Sequence, residues 1–448
     1  MLTLISRAKT SLSGTIALPG DKSISHRSLI FGTLAIGRTK ITGLLEGDDV
    51  LSTRSALVQL GARIDNTLED GVSVWTVDGL GLGAFKAPDQ PLDLGNSGTG
   101  ARLLMGVIAG SGITAIFTGD ASLSKRPMAR VTDPLADMGA RIEARDGTFL
   151  PLTVAGPEQL LSIDYTSPHA SAQVKSAILL AGLTARGRTR ITEPKASRDH
   201  TEAMLRHFGV DVTTTTHDDG SYSAELVGET ALTAKDIIVP ADPSSAAFLA
   251  VAALITPGSD ITLKAVGTNP LRFGIFTTLM EMGGDITLSH ERLEGGEAVA
   301  DIRIKASSLK GVTVPAERAA SMIDEYPILS IAAAVADGHT YMQGVAELRV
   351  KETDRIALMA DGLIAAGVKV DTTEDSMTVH GMPEDGMITG GVTVDACHDH
   401  RIAMSFLTLG LITDQAMTVA GAETIATSFP NFTSLMTDIG ADIQDASS

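Results

Sequence analysis

The sequence predicts an α/β (α+β) fold of six repeated units, each with two helices and a small mixed sheet, arranged three per lobe. Two recurring patterns predict it. Six times, a glycine ends an amphipathic segment and is followed by alternating polar and apolar residues, which is typical of a helix end that leads into a half-buried strand. The glycines are Gly61, Gly139, Gly209, Gly283, Gly367 and Gly440. Their spacing of roughly seventy to eighty-four residues exceeds that of common solenoid repeats.

The second pattern is a polar or glycine-rich segment that opens an apolar helix. It recurs near residues 21, 96, 171, 242, 324 and 398. The helices that follow are apolar on nearly every face, as over residues 176–183 and 402–411, so each should be buried on all sides. Backbone N–H groups and the macrodipole favour anions at a helix start, and several of these starts carry Lys or Arg. The pattern therefore predicts a small polyanionic substrate.

The unit around Gly139 illustrates the order of elements. An amphipathic helix is predicted over residues 133–138, and glycine is a favoured residue just after a helix. Residues 140–144 alternate as a strand, the Asp-Gly pair at 146–147 supplies a turn, and residues 149–154 return as the partner strand. Three such units, packed around their buried helices, would form one lobe.

The length of 448 residues exceeds what one hydrophobic core usually organises, so we expect two domains. Pro240 lies between the third and fourth units and marks the best crossing between lobes. A second crossing near Pro19 follows if the first strand belongs to the far lobe. We therefore predict that residues 1–20 and 240–448 form lobe one and that residues 21–239 form lobe two.

The net charge of −19 argues against a nucleic-acid or membrane-surface binder, because backbone and lipid phosphates would be repelled. An anionic ligand would then need a local basic cluster that is shielded from the acidic exterior. No apolar stretch approaches the length of a membrane span. Residues 1–7 lack the organisation of a secretion signal. We therefore expect a cytoplasmic protein.

Cys397 is the single cysteine, which excludes an internal disulfide and a multi-cysteine metal site. We expect it to be an inert thiol in the core. His398 and His400 lie close to it in the sequence, but no cluster of carboxylates or histidines completes a ligand set. The sequence therefore predicts no metal.

Two segments in the first quarter of the chain are candidate anion sites. Lys22, Ser23 and Arg27 combine two cations, a hydroxyl and the backbone donors of a helix start, a set that suits phosphate or carboxylate. The alternative is a solvated basic first turn, which is electrostatically poor. The glycine-rich segment 95–102 permits close backbone approach to a ligand or serves as a flexible helix entry. It lacks Gly-Lys-[Ser/Thr], so a nucleoside triphosphate site is not supported.

Further charged residues form three smaller candidates. Arg126 precedes a proline that holds its backbone extended. Lys351 and Arg355 lie one helical turn apart, so their positive charges repel each other. A bound anion would offset this repulsion, and neighbouring carboxylates would also neutralise it. Asp324 and Glu325 precede the fifth apolar helix. A carboxylate there either caps the helix or, in a cationic cleft, accepts a proton.

Together these motifs resemble those of the 3-phosphoshikimate 1-carboxyvinyltransferases, also called 5-enolpyruvylshikimate-3-phosphate (EPSP) synthases, across essentially the whole chain. The motifs are LPGDKSISHR at 18–27, GNSGT at 95–99, KRPM at 125–128, SAQVK at 171–175, RVKETDR at 349–355 and DHR at 399–401. The resemblance implies the family's two-lobed inverted α/β barrel, with an active site in the cleft between the lobes. It also implies transfer of the enolpyruvyl group of phosphoenolpyruvate to the 5-hydroxyl of shikimate 3-phosphate, without a metal or organic cofactor.

The resemblance further implies roles for individual residues. For shikimate 3-phosphate it implies contacts from Lys22, Ser23, Arg27, Ser171, Gln173, Arg198, Asp324 and Lys351. For phosphoenolpyruvate it implies contacts from Lys22, Gly98, Arg126, Gln173, Arg355 and Arg401. Asp324 would accept the proton of the 5-hydroxyl, while Glu352 and Lys22 would handle the proton at the methylene. The expected partners are these two small molecules, and the chain is expected to be a monomer.

Some positions depart from a common family pattern and resemble its class II branch. Thr427 and Ser428 precede Phe-Pro where many members carry a lysine, and Glu347 stands where many have asparagine. These differences bear on the phosphoenolpyruvate contacts. Inhibition by glyphosate is left open as well, because tolerant class II members often have alanine where Gly98 stands.

Two other functions fit part of the pattern. The related transferase that acts on UDP-N-acetylglucosamine usually has a reactive cysteine in a mobile loop, whereas Cys397 precedes a predicted buried helix. That transferase also has Lys-Asn where this chain has Lys22 and Ser23. A non-catalytic binder of phosphorylated metabolites would gain nothing from Asp324 and Glu352, whereas a proton-transfer catalyst needs such carboxylates.

Overall fold

The structure is a computed structural model that describes residues 2–382 and 387–447. The chain divides into two compact units. Unit 1 comprises Met1–Pro19, Pro240–Leu293 and Ala298–Ser448, and unit 2 comprises Gly20–Val239 and Glu294–Glu297. The chain therefore begins in unit 1, forms unit 2 and returns to unit 1, with one short later segment that clusters with unit 2.

Helices of two kinds alternate along the chain, fully buried and partly exposed. In unit 2 they are α1 (Lys22–Leu34), α2 (Asp48–Gln59), α3 (Gly98–Ala109), α4 (Ala129–Asp137), α5 (Ala172–Gly182) and α6 (His200–His207). In unit 1 they are α7 (Pro243–Ile255), α8 (Gly274–Glu281), α9 (Ala319–Met322), α10 (Tyr326–Ala334), α11 (Arg355–Ala365), α12 (His400–Leu409) and α13 (Phe432–Asp438). Short 3-10 segments cover Leu123–Lys125, Ala316–Arg318, Ile323–Glu325, Ala346–Val350 and Ala422–Thr427.

The strands follow the helices in a regular order. Two strands precede α1 and belong to unit 1, namely β1 (Thr3–Arg7) and β2 (Ser13–Ala17). The strands of unit 2 follow α1. In unit 2 they are β3 (Ala35–Ile36), β4 (Arg38–Thr42), β5 (Arg63–Glu69), β6 (Val72–Asp78), β7 (Leu92–Asp93), β8 (Thr114–Thr118), β9 (Arg141–Arg145), β10 (Phe149–Ala155), β11 (Asp164–Thr166), β12 (Arg188–Glu193), β13 (Val212–Thr216), β14 (Tyr222–Val227), β15 (Leu232–Thr233) and β16 (Ile237–Ile238). The remainder are β17 (Asp260–Gly267), β18 (Asp285–Glu294), β19 (Glu297–Lys305), β20 (Thr313–Val314), β21 (His339–Gln343), β22 (Val370–Thr372), β23 (Ser376–His380), β24 (Thr393–Asp395), β25 (Met417–Ala420) and β26 (Asp442–Asp445).

Within the described residues, these strands form six four-stranded sheets and one two-stranded sheet. The sheets of unit 2 have the orders β7-β8-β10-β9, β11-β12-β14-β13 and β16-β4-β6-β5. Those of unit 1 have the orders β18-β19-β17-β2, β20-β21-β23-β22 and β24-β25-β1-β26. All six combine one parallel pair with antiparallel pairing, and in four of them a buried helix lies between the two parallel strands in the chain, as α3 lies between β7 and β8. In the other two, the parallel pairs β16–β4 and β17–β2 join strands that are far apart in the sequence. The predicted six repeats of a small mixed sheet are therefore confirmed.

The first two strands complete sheets whose other strands come much later. β1 pairs with β25 and β26, with Ile5 opposite Thr418 and Gln444. β2 lies parallel to β17, with Ile16 opposite Leu263. This pairing closes the repeat pattern and brings the first residues of the chain into the core of unit 1.

Each unit has its own hydrophobic core built around three buried helices. In unit 2 these are α1, α3 and α5, and in unit 1 they are α7, α10 and α12. The helices α7, α10 and α12 pack against one another, as do α3 and α5. Burial on every face explains why their sequences lack a polar stripe.

The six predicted glycine stops are confirmed. Each lies two residues after the last residue of a helix, and φ at these glycines runs from +89° to +107°. A strand begins two or three residues later in every case. A residue with a Cβ pays a steric penalty at such φ values, so the turn from helix to strand requires glycine.

The structure corrects one expectation and adds two findings. Cys397 is exposed, so the prediction of a core thiol is wrong: the residue lies in a turn with φ of +50° rather than in the helix that follows. Among the described residues, no group of three or more His, Cys, Asp or Glu side chains is arranged to hold a metal ion. In the same part of the chain, every helix is too short or too polar to reach across a bilayer.

The conformational requirement at the glycine stops is testable at Gly283. Its φ is +90° and an added Cβ would meet only ordinary contact, 3.7 Å from the carbonyl oxygen of Ser308. Gly283→Ala should therefore cost about 1–2 kcal/mol through backbone strain alone. The measurement is the midpoint of urea unfolding followed by circular dichroism.

Gly267 is the matched control in the same unit. Its backbone lies outside the left-handed region, and an added Cβ would be 3.6 Å from the nearest atom. Gly267→Ala should leave stability within about 0.5 kcal/mol of the unmodified protein. Equal midpoints for the two variants would contradict the role given to backbone strain.

Candidate active site

The start of α1 holds the first of the predicted residues. The side chain of Asp21 caps this helix, since its Oδ1 accepts a hydrogen bond of 2.8 Å from the backbone N–H of Ile24. In the first turn, Lys22 forms an ion pair with Asp49 of α2. The carboxylate offsets the repulsion between the ammonium and the positive helix end. The cation is thereby held at a helix start, with 23% of its side chain exposed.

Arg27 lies deeper along the same helix. Its Nε donates to Thr201 Oγ1 at 2.7 Å, its Nη2 to Ser176 Oγ at 2.7 Å and its Nη1 to the Ser23 carbonyl at 2.9 Å. Burial lowers the pKa of Arg27 to about 10, so the guanidinium is still charged at neutral pH. These bonds tie α1 to α5 and α6, and they leave Arg27 much less accessible than Lys22.

Gly98 and Gln173 are joined through Arg102, the last residue of the glycine-rich segment, to which no role of its own was assigned from the sequence. Nη1 of Arg102 donates to the Gly98 carbonyl at 3.3 Å and to Gln173 Oε1 at 3.1 Å. The amide of Gln173 in turn donates to Thr99 Oγ1 at 2.9 Å. Because Gly98 opens α3 and Gln173 lies in the first turn of α5, this network holds two helix starts together.

Arg126 lies against the glycine-rich segment. Its Nη2 donates to Asn96 Oδ1 at 2.6 Å and to Ser122 Oγ at 3.2 Å. A Cβ at Gly98 would lie 3.2 Å from Arg126 Nη1 and 2.7 Å from Arg102 Nη1. Glycine at this position therefore allows two guanidinium groups to approach the first turn of α3.

Ser171 and Arg198 complete the predicted residues of unit 2. Ser171 caps α5: its Oγ accepts from the backbone N–H of Val174 at 3.5 Å. Its own backbone N–H donates to Glu193 Oε1 at 2.6 Å. Arg198 is half-buried in the segment between β12 and α6. We call the following residues the unit 2 set: Lys22, Ser23, Arg27, Gly98, Arg126, Ser171, Gln173 and Arg198.

In unit 1, the predicted residues converge on Asp324. This residue lies in the 3-10 segment before α10. Its Oδ1 is 3.4 Å from Lys351 Nζ and 3.3 Å from Arg355 Nη1. Two cations therefore meet one carboxylate oxygen, and 18% of the Asp324 side chain is exposed.

Arg355 is the buried centre of the same cluster. Its Nε donates to Asp399 Oδ2 at 2.7 Å and its Nη2 to Glu352 Oε2 at 2.5 Å. Burial acts to lower the pKa of Arg355, but the three carboxylates around it outweigh this effect and raise the pKa. The guanidinium thus stays charged, and it binds the side chain of Asp324 through Nη1 and that of Glu352 through Nη2.

Arg401 contacts the turn that carries Asp324. Its Nη1 donates to the Asp324 carbonyl at 2.8 Å and to Glu325 Oε1 at 3.2 Å. Glu325 is buried and accepts a further bond of 2.5 Å from Ser244 Oγ. Glu325 is the N-cap residue of α10 and makes no side-chain capping hydrogen bond, so the capping function considered for this residue is wrong. We call the following residues the unit 1 set: Asp324, Lys351, Glu352, Arg355 and Arg401.

The chemistry of the two sets differs. The unit 2 set combines cations with the starts of three buried helices, where backbone N–H groups attract anions. The unit 1 set pairs three cations with two carboxylates, so it is suited both to hold an anion and to accept or donate a proton. In unit 1 the predicted residues meet around the buried Arg355 and the turn that carries Asp324, whereas in unit 2 the described contacts place most of them at the starts of α1, α3 and α5.

Some partners of these residues could be predicted from the sequence, and others could not. Arg102 follows Gly98 by one helical turn, and Asp399 directly precedes a buried helix, so spacing alone could have drawn attention to both. Asp49 pairs with Lys22 from a different helix, and no local pattern predicts such a contact.

The family described as EPSP synthase (3-phosphoshikimate 1-carboxyvinyltransferase) matches residues 6–436. A 3-phosphoshikimate 1-carboxyvinyltransferase of Parvibaculum lavamentivorans is 56% identical, covering 98% of this chain and 96% of the relative. A protein of the same name from Cereibacter sphaeroides is 53% identical, with 98% and 97% covered. The structure of EPSP synthase from Acinetobacter baumannii aligns with a TM-score of 0.88 at 46% identity and covers 100% of both chains.

The buried His26 in α1 predicts a pH dependence of stability. Burial, and then the nearby Lys22 and Arg27 charges, lower the pKa of His26 well below its ordinary value of 6.5. Below pH 6.5 the unfolded chain therefore takes up a proton that the folded chain does not. Stability must then fall as the pH drops, by at most about 1.4 kcal/mol per pH unit for this group.

Removing this histidine should reduce that loss. Between about pH 7.5 and about pH 5.5, His26→Gln should lose less stability than the unmodified protein, measured by urea unfolding at both values. His339, whose side chain is exposed, provides the control, and His339→Gln should leave the pH dependence unchanged. An unchanged loss in His26→Gln would contradict the assignment.

Proposed function

Because the chain belongs to the EPSP synthase family, we propose that the unit 1 and unit 2 sets together catalyse the family's reaction. The enolpyruvyl group of phosphoenolpyruvate is transferred to the 5-hydroxyl of shikimate 3-phosphate, and inorganic phosphate is released. The reaction belongs to the shikimate pathway, which leads to chorismate and the aromatic amino acids. The alternative acceptor, UDP-N-acetylglucosamine, is not favoured by the family match or by the relatives.

The convergence on Asp324 is the observation that carries this proposal. A partly exposed carboxylate lies between Lys351 and Arg355, and Arg355 also holds Glu352. A protein that only bound anions would be weakened by two carboxylates at the ligand, because they repel it. A catalyst that must remove a proton from a hydroxyl and deliver one to carbon needs such groups.

Shikimate 3-phosphate carries a phosphate and a carboxylate, and the proposed contacts match them with cations and hydroxyls. The assigned residues are Lys22, Ser23, Arg27, Ser171, Gln173, Arg198, Asp324 and Lys351. Arg27 is the most buried of the assigned cations of unit 2, with its three nitrogens already bonded to protein acceptors. We therefore assign it mainly to fixing the start of α1, with Lys22 as the more accessible cation.

Phosphoenolpyruvate is likewise assigned a cationic environment. The proposed residues are Lys22, Gly98, Arg126, Gln173, Arg355 and Arg401. Gly98 contributes space, since a side chain there would displace two guanidinium groups. Arg401 presents a planar guanidinium group that suits a carboxylate. Arg355 is buried and bonded to three carboxylates, so a ligand would replace one of these partners.

The proposed chemistry is an addition followed by an elimination. Asp324 accepts the proton of the 5-hydroxyl while that oxygen attacks C2 of phosphoenolpyruvate. The methylene carbon takes up a proton, for which Glu352 and Lys22 are the candidates. The C2–O bond to phosphate then breaks, and the methyl group gives up a proton, which leaves the enolpyruvyl ether and free phosphate. Fixed cations stabilise the charge that builds up on the phosphate.

We also propose that the chain acts as a cytoplasmic monomer. The residues assigned to both substrates all come from a single chain, which supports a monomer. Sedimentation velocity of the purified protein tests this directly, and a dimer at micromolar concentration would contradict it.

The activity is tested by mixing the purified protein with shikimate 3-phosphate and phosphoenolpyruvate and following phosphate release. We expect release that depends on both substrates. The same assay with UDP-N-acetylglucosamine in place of shikimate 3-phosphate should give none. Phosphate release with UDP-N-acetylglucosamine and phosphoenolpyruvate, but not with shikimate 3-phosphate, would overturn the proposal in favour of the related transferase. Binding of shikimate 3-phosphate without any phosphate release would favour a non-catalytic binder.

The role of Asp324 gives a sharper prediction. Asp324→Asn keeps the shape and removes the proton acceptor, so kcat should fall at least about 100-fold. Shikimate 3-phosphate should still bind in calorimetric titration. Glu317 is an exposed carboxylate on the same stretch of chain, and Glu317→Gln should keep full activity. If Asp324→Asn retained most of its turnover, Asp324 would not be the proton acceptor.

A further inference from the structure

Next to the unit 2 set lies a buried ion cluster that the reaction scheme does not use. The side chain of Lys175 is fully buried, and its Nζ is 3.1 Å from Glu193 Oε2 and 2.8 Å from Glu202 Oε1. It also donates to the Ser197 carbonyl at 3.1 Å. The three N–H bonds of the ammonium thus have three acceptors. The ring of Tyr222 lies 4.8 Å from Nζ.

Lys175 keeps its charge in spite of its burial, while burial raises the pKa of its partner Glu202. Burial acts to lower the pKa of Lys175, but the carboxylates of Glu202 and Glu193 outweigh it and raise the pKa. A buried ion pair adds little net stability compared with apolar residues of the same shape, whereas removing one partner is costly. Stability therefore gives no reason for a lysine at this position, and a geometric reason is needed.

The geometric reason lies in what Glu193 holds. Its Oε1 accepts the backbone N–H of Ser171 at 2.6 Å, and its two oxygens accept Ser197 Oγ at 3.0 and 2.7 Å. Ser171 caps α5, and Ser197 directly precedes Arg198. One carboxylate therefore anchors two separate segments that each carry an assigned contact to shikimate 3-phosphate.

We propose that Lys175 is a positioning residue for the shikimate 3-phosphate subsite. It holds the Glu193 carboxylate, which fixes the backbone of Ser171. It also holds the Ser197 carbonyl, which fixes the segment leading to Arg198. Lys175 acts through these groups and does not touch the substrate. The inference rests on the function proposed above and adds a residue that the reaction itself does not require.

The test is Lys175→Met, which keeps an unbranched apolar side chain as far as Cε and removes the ammonium group. We expect the KM for shikimate 3-phosphate to rise about tenfold or more, because small misplacements of contact groups weaken binding strongly. The KM for phosphoenolpyruvate and kcat should stay within about threefold. Calorimetric titration with shikimate 3-phosphate should show the same loss of affinity.

Two further variants separate positioning from a general loss of stability. Ser197→Ala removes the hydroxyl bonded to Glu193 but leaves every charge in place, and it should raise the same KM by a smaller factor. Lys175→Met with Glu202→Gln removes one of the two uncompensated carboxylates. This double variant should recover thermal stability while the KM for shikimate 3-phosphate stays high.

Lys264 provides the control, because it pairs with the buried Asp301 and has no assigned contact. Lys264→Met should leave both KM values unchanged. A normal affinity for shikimate 3-phosphate in Lys175→Met, or recovery of affinity together with stability in the double variant, would overturn the inference and leave the proposed function intact. Absence of binding to the unmodified protein would overturn both.

Discussion

A buried cation must be paired, and this requirement fixes the helix starts in both units. In unit 2, Lys175 lies between Glu193 and Glu202, next to the cap of α5. In unit 1, Arg355 donates to Asp399, and the same carboxylate caps α12 through the backbone N–H of Arg401. Each pair couples the end of one helix to another segment, so the residues of the first turns have little freedom to move.

The fold could be predicted from the sequence because its determinants are local. A glycine two residues after the last residue of six of the helices is required by a positive φ, and this requirement does not depend on distant residues. The buried helices were recognisable for a similar reason, since a helix covered on all sides has no polar face. The pairing of β1 with β25 and β26 joins residues more than four hundred positions apart. The repeat alone does not predict this pairing, which requires the further assumption that the first strand belongs to the same lobe as residues 240–448.

The candidate site was predictable to a smaller extent. Lys22 was identified from its position at a helix start and Lys351 from its spacing to Arg355, but their partners Asp49 and Asp324 come from other segments. Such contacts depend on how helices pack, which a local pattern does not specify. The expectation for Cys397 rested on the general burial of free cysteines, and it failed because this residue lies in an exposed turn with positive φ.

These carboxylate partners also bear on how an acidic chain can select an anion. With a net charge of −19, long-range attraction does not favour anionic substrates, so recognition depends on the local groups. An anion that reaches Lys351 must compete with Asp324, which already neutralises this cation. The binding of a small inorganic anion then gains little free energy, because Lys351 only exchanges one anionic partner for another. A substrate with two anionic groups and a hydroxyl would gain at several cations together and would bring its proton to Asp324. The same carboxylate that weakens the binding of simple anions is therefore the group that we propose as the proton acceptor.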